Sequence, residues 1–182
     1  MILLANDLKS AGFNIRRMFG FDSFEGIPEE TEDKRNNPEW QKGFCDVRKE
    51  LKMSADIAYL NTLNSIKKTH TDTILIKGFW NEVLTGDLII KHDMQPAMYA
   101  DIDCDIYSSA KLALNFMMKN KLIVKGTVIG YDDWGGTLLH APEYEAGESR
   151  AHKEITEQYS LEYRLLYKYG YPPHVQCLYE VL

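Results

Sequence analysis

Apolar positions along the chain switch between a helical period and a strand period. Ile2, Leu4 or Ala5, and Leu8 share one helical face, and Gly12 is placed to end that helix. Arg17-Met18-Phe19-Gly20-Phe21 has the short apolar run of a buried strand and ends at Asp22. A turn of helix is expected over Val47 to Leu51. Ser54 then caps a longer helix carrying Ile57, Leu60, Leu63 and Ile66. Thr73-Ile74-Leu75-Ile76 is β-branched and apolar, a strand, and runs into Lys77-Gly78-Phe79-Trp80-Asn81. Ala151, Ile155 and Tyr159 mark the face of a last helix. Leu161, Tyr163 and Leu165 alternate, as do Val175, Cys177, Tyr179 and Val181, with Gly170-Tyr171-Pro172-Pro173 between them. That pattern predicts a terminal antiparallel pair.

The middle of the chain organises the rest. Two short apolar segments run straight into aspartates: Asp101, Asp103 and Asp105 after the first, Asp132 and Asp133 after the second. Between them Ile106, Ala110, Ala113, Leu114 and Met117 recur at helical spacing. Strand, helix, strand implies a right-handed crossover and two parallel strands. Parallel neighbours end at one edge, so both acidic groups are expected together, where open α/β sheets bind ligands. Gathered carboxylates repel one another unless a proton or a cation joins them. A hard divalent ion that keeps open positions, Mg²⁺ in particular, suits such a set. With 27 acidic residues in 182, the pattern alone leaves a plainer reading open, in which Asp105 or Ser108 caps the following helix. The alternation as a whole predicts an α/β chain, a three-layer, mostly parallel sheet with one antiparallel strand near its end, in one domain spanning 1–182.

Composition narrows the partners. The net charge of −6 and the lack of a basic block argue against a nucleic-acid or anionic-membrane surface. Cys45, Cys104 and Cys177 are odd in number and widely spaced, which supports neither a disulfide framework nor a cysteine zinc site. No apolar run approaches a membrane span, and the start M-I-L-L-A-N-D-L-K lacks the basic flank of a signal peptide. A cytoplasmic protein is the default expectation.

Three stretches carry two readings each. Asp22 could accept hydrogen bonds from ribose hydroxyls or, with Ser23, cap a turn. The charged segment Pro28 to Pro38 is either a flap, with Trp40 and Phe44 just beyond it, or solvated surface. Gly78 followed by Phe79 and Trp80 could form a flat pocket for a ring or belong to the core.

Taken in order, F-G-F-D-S-F-E-G-I-P-E (Phe19 to Glu29), I-K-G-F-W (Ile76 to Trp80), D-I-D-C-D-I-Y-S-S (Asp101 to Ser109) and G-T-V-I-G-Y-D-D-W (Gly126 to Trp134) resemble the macrocin O-methyltransferase family, the TylF-type enzymes. The resemblance covers roughly Ile2 to Val181. It implies a Rossmann-like class I methyltransferase fold and an enzyme dependent on S-adenosylmethionine and Mg²⁺, acting on hydroxyls of sugars in natural products. It assigns Asp22 to the cofactor ribose, Ser23 and Phe24 beside the cofactor, and Lys77, Gly78 and Phe79 near the adenine. Asp103, Asp132 and Asp133 match the family's metal-binding carboxylates, and Asp103 its proposed general base.

The chain departs from the family pattern at its start. No G-x-G occurs, and Met1 falls essentially within the first helix, so the first, central strand is expected to be missing, the domain being N-terminally truncated, either as a fragment of a longer chain or as a degenerate homologue. Strand edges left open in that way would encourage a homodimer. Asp101 is an extra carboxylate inside its strand. Two further readings stand beside the enzyme of sugar hydroxyls: an enzyme of another vicinal diol such as a catechol, and a degenerate, non-catalytic methyltransferase-like module that serves as a binding or partner subunit.

Overall fold

The computed structural model of the chain describes residues 2–35, 39–134, 144–171 and 174–182. The stretch around Gly135, Gly136, His140 and Pro142, and the pair Pro172-Pro173, lie outside the described residues. The chain divides into two compact units, Met1–Gly26 with Cys45–Val83, and Ile27–Phe44 with Leu84–Leu182.

The first unit holds helix α1 (Ile2–Ser10), strand β1 (Met18–Asp22), helices α2 (Val47–Glu50) and α3 (Ala55–Lys67), strand β2 (Thr73–Lys77) and the short helix α4 (Trp80–Val83). β1 and β2 are parallel, in register from Met18↔Thr73 to Asp22↔Lys77. Short polar side chains start the helices: Asp46 accepts from the Arg48 N–H at 2.9 Å, and Ser54 Oγ from the Ile57 N–H at 3.2 Å. The core is Phe24 with Ala55 and Ala58, against which Val47, Met53, Tyr59 and Leu75 are packed. Phe24 meets Tyr59 edge to face at 5.9 Å. α3 therefore turns its small residues inward, because the Phe24 ring fills the space above them. Ile57 and Leu60, on the face picked out by the sequence pattern, are about half exposed.

The second unit holds α5 (Gly86–His92), β3 (Tyr99–Ile102), α6 (Tyr107–Lys119), β4 (Val128–Tyr131), α7 (Gly147–Gln158), β5 (Tyr163–Tyr171) and β6 (His174–Val181). Its sheet has the order β3-β4-β6-β5. β3 and β4 are parallel, and β6 runs antiparallel to both β4 and β5. The expected strand directions, with one antiparallel strand near the end, are those observed, although the described strands form two sheets. One face of the larger sheet is sealed by Ala100, Ile102, Ile129, Tyr131, Cys177 and Tyr179, all buried. From α6 come Ala110, Ala113, Leu114 and Phe116, and from α7 Ala151 and Ile155, as their helical spacing requires. Trp134 and His152 complete this core, with ring centroids 5.1 Å apart and Tyr131 and Tyr179 close to both.

No disulfide is found among the described residues. No described helix is long and apolar enough to cross a membrane. β5 extends through Gly170 and Tyr171, residues that the sequence pattern places in the turn. Gly170 makes this possible. Its φ is +105°, and a Cβ there would stand 2.2 Å from the His174 carbonyl oxygen. Gly170→Ala is expected to destabilise the fold by about 1–3 kcal/mol. Chemical denaturation would measure it, and an unchanged midpoint would contradict the close approach.

Candidate functional site

In the second unit β3 and β4 stay paired up to Ile102↔Tyr131. One further main-chain bond, from the Asp132 N–H to the Ile102 carbonyl at 3.3 Å, carries the pairing past the strand ends. The next residues are the aspartates. Asp103, Asp132 and Asp133 each offer a carboxylate oxygen, and the three oxygens lie within 4.8 Å of one another. The convergence expected from a parallel strand–helix–strand unit is therefore observed. Asp103 is exposed and Asp133 buried. Gln176 Nε2 donates to Asp132 Oδ1 at 2.5 Å, and His174 Nδ1 stands 3.2 Å from Asp133 Oδ1.

Asp105 joins this group from a left-handed backbone, φ +64°. The sequence offers it as a candidate cap for α6, but that helix takes no side-chain cap from its N-cap position. Burial pushes the Asp105 carboxyl up to about 7, and the charges of Asp133 and Asp103 push in the same direction. Burial also raises Asp133, while its hydrogen bond with His174 pulls the other way. Carboxylates that raise each other's affinity for protons in this way form an all-oxygen donor set. Such a set fits a hard divalent cation of the Mg²⁺ type.

Sequence reasoning missed the residues that hold this rim. Glu148, the second residue of α7, is fully buried. Its two carboxylate oxygens accept from the N–H groups of Cys104 and Asp133, each at 3.2 Å. Burial pushes its carboxyl well above the usual carboxylate range, against the pull of those N–H groups. Among the described residues of the acidic segment after Pro28, Glu30 and Asp33 are tied to the helices of this unit, so this part is not plain solvated surface. Its neck is closed by main-chain bonds between Ile27 and Phe44, and between Gly43 and Ile27. Glu30 accepts from the Ser108 N–H at 2.7 Å, which caps α6. Asp33, 5 % exposed, accepts from the Gly147 N–H at 2.8 Å, which caps α7. No local signal could reveal this, because the capped helices lie far along the chain. A cleft of about 490 Å³ lined by Glu32, Asp33, Arg35, Arg150 and Glu154 adjoins this loop and includes none of the three aspartates.

In the first unit, the residues assigned to the cofactor by resemblance cluster at the ends of β1 and β2. Asp22 lies opposite Lys77 in register, and the Gly78 N–H donates to the Asp22 carbonyl at 3.0 Å. Asp22 Oδ1 accepts from the Phe24 N–H at 2.6 Å, and Ser23 Oγ from the Glu25 N–H at 3.0 Å. These are turn-capping bonds, and they leave Asp22 exposed. Phe24 is 7 % exposed and belongs to the core. Lys77 Nζ is hydrogen-bonded to Asp56. Gly78 has φ +143°, and a Cβ there would meet Val83 Cγ1 at 2.4 Å, so only glycine fits. Phe79 is half-buried beside it. Trp134, one residue past the acidic pair, is completely buried among rings and serves the core.

By fold, the chain is of the Rossmann-like methyltransferase class. A solved apo structure of a TDP-rhamnose 3'-O-methyltransferase of calicheamicin biosynthesis superimposes with a TM-score of 0.58 at 17% identity, over 98% of this chain. The chain spans 64% of that protein's length. The family model described as macrocin-O-methyltransferase (TylF) matches residues 1–160, and the chain belongs to that family. No curated protein matches it.

Two measurements test the supports of the site. Asp33→Ala removes the cap of α7 and is expected to cost about 1 kcal/mol of stability, read from urea unfolding. No loss would contradict the capping role. His152 is buried, its Nε2 has no hydrogen-bond partner among the described residues, and burial lowers its pKa from 6.5 to about 4. The unfolded chain therefore binds this proton first as pH falls. The contribution is whole above about 6.5 and is lost by about pH 4, amounting to about 3 kcal/mol. The gap in unfolding free energy between wild type and His152→Gln should narrow by that amount over this range. A gap independent of pH would show that His152 is not held neutral.

Proposed function

We propose that the protein is an S-adenosylmethionine-dependent, divalent-metal-dependent O-methyltransferase acting on a hydroxyl of a small molecule, a sugar moiety in the first place. The observation that carries this reading is the convergence of Asp103, Asp132 and Asp133 at the ends of β3 and β4 in a member of the macrocin-O-methyltransferase family. The sugar preference is supported by that family description and by the TDP-rhamnose methyltransferase that shares the fold. A net charge of −6 suits a small acceptor better than a polyanion.

Asp103, Asp132 and Asp133 would hold Mg²⁺ through carboxylate oxygens; Asp22, Ser23, Lys77, Gly78 and Phe79 would bind the cofactor, with Phe24 supporting their turn from the core. When bound, the cation makes a hydroxyl more acidic and the sulfonium cofactor supplies an electrophilic methyl group. The chain's own task is then orientation and proton removal. Asp103, which by resemblance matches the family's proposed general base, would be the carboxylate that accepts the hydroxyl proton. The cofactor would supply the methyl group and keep the electron pair of its C–S bond on sulfur, so the chain's own residues have only the hydroxyl proton to remove. The proton on Asp103 then leaves to solvent. Gln176 and His174 fix Asp132 and Asp133, so those two carboxylates orient rather than exchange protons.

The test is methyl transfer from labelled S-adenosylmethionine to nucleotide-linked and free deoxysugars, with Mg²⁺ or with excess chelator. The expected result is turnover with Mg²⁺, loss with chelator, and loss in the Asp132→Ala/Asp133→Ala variant, which still binds S-adenosylhomocysteine in calorimetry. Turnover undiminished by chelator or by the double variant would refute metal dependence. If wild type takes up no S-adenosylhomocysteine but a version extended at the N-terminus does, the chain is part of a longer enzyme; if neither does, the non-catalytic module is the correct reading.

A further inference from the structure

We infer that Glu148 is a positioning residue for the carboxylate cluster, a clamp that fixes the separation of the two turns before any cation arrives. This rests on the metal-dependent reading above. The turn after β3 carries Asp103 and the turn after β4 carries Asp132 and Asp133. Main-chain pairing ends with the Asp132 N–H to Ile102 carbonyl bond. Beyond it the two turns have like charges, which drive them apart. Glu148 spans them: Oε1 takes the N–H of Cys104, next to Asp103, and Oε2 takes the N–H of Asp133, both at 3.2 Å. One rigid planar group thus replaces a missing rung of the sheet.

Two observations separate this from an ordinary helix-end acid. The first N–H of α7, on Gly147, is already served by Asp33. The bonds of Glu148 go to the strand ends and not to its own helix. A buried carboxyl is also costly to keep unless its bonds are needed, and an apolar side chain would fill the same space. Outer-shell groups that orient metal ligands commonly change metal affinity by about 10–100-fold when altered.

Glu148→Gln keeps the size but leaves one oxygen acceptor for two N–H donors. The experiment compares Mn²⁺ affinity by electron paramagnetic resonance titration for the full chain, the Glu148→Gln variant and Ile123→Val. Ile123 is buried at the far end of the strand–helix–strand unit, so its variant controls for general destabilisation. The expected result is Mn²⁺ binding weakened at least about tenfold in Glu148→Gln and unchanged in Ile123→Val. Equal affinity in Glu148→Gln and wild type overturns the clamp and leaves the metal site standing, as does an equal loss in Ile123→Val. If wild type binds no Mn²⁺, the metal reading falls and the clamp with it. Should Glu148→Gln fail to fold, amide hydrogen exchange of wild type decides: slow exchange at both Cys104 and Asp133 is expected, and fast exchange at either overturns the clamp.

Discussion

Two parallel strands that end side by side must deliver their next residues to the same place, and in this chain those residues are acids. Ile102 and Tyr131 are the last paired residues of β3 and β4. Asp103, Asp132 and Asp133 come next, with oxygens within 4.8 Å of each other. Burial and mutual repulsion raise the affinity of Asp105 for protons. An arrangement of this kind is unfavourable by itself, and the fold has to hold it. The aromatic and aliphatic core beneath, from Ile102 and Tyr131 to Trp134 and Tyr179, supplies the rigid base.

The same problem shapes the surroundings. α6 and α7 come after the two acidic turns, and neither start is capped from its own N-cap residue. Glu30 and Asp33, from a loop closed between Ile27 and Phe44, supply the acceptors instead. Each of these carboxylates therefore lies at the positive end of a helix, where negative charge is favoured. Glu148 uses the reverse logic, a helix residue that serves the strand ends. Glu30, Asp33 and Glu148 are thus tied to backbone N–H groups, while Asp103, Asp132 and Asp133 come together at the strand ends.

Much of this was legible in the sequence because it is local. The 3.6 period of Ala110, Ala113, Leu114 and Met117 marks the crossover helix, and the crossover dictates the direction of β4. Ser54 announces the start of α3 because an N-cap acts within three residues. The two acidic clusters could be brought together from topology alone. What escaped depends on partners distant in sequence. Glu30 bonds a residue 78 positions away and Asp33 one 114 positions away. The inward face of α3 depends on the position of Phe24, not on hydrophobicity along the helix. β5 runs past its expected end because a glycine at φ +105° admits the neighbouring strand. Among the residues that the resemblance assigns to the cofactor, Phe24 is buried, which marks it as a support beneath the turn after β1.

The central claim is that the acids brought together at the strand ends form a seat for a hard cation. Crystals soaked in Mn²⁺ and measured at the manganese edge test it most directly. The account predicts one anomalous peak about 2.0–2.4 Å from oxygens of Asp103, Asp132 and Asp133 together. A difference map with these three side chains ordered and no peak between them, or with the ion held elsewhere, would contradict it.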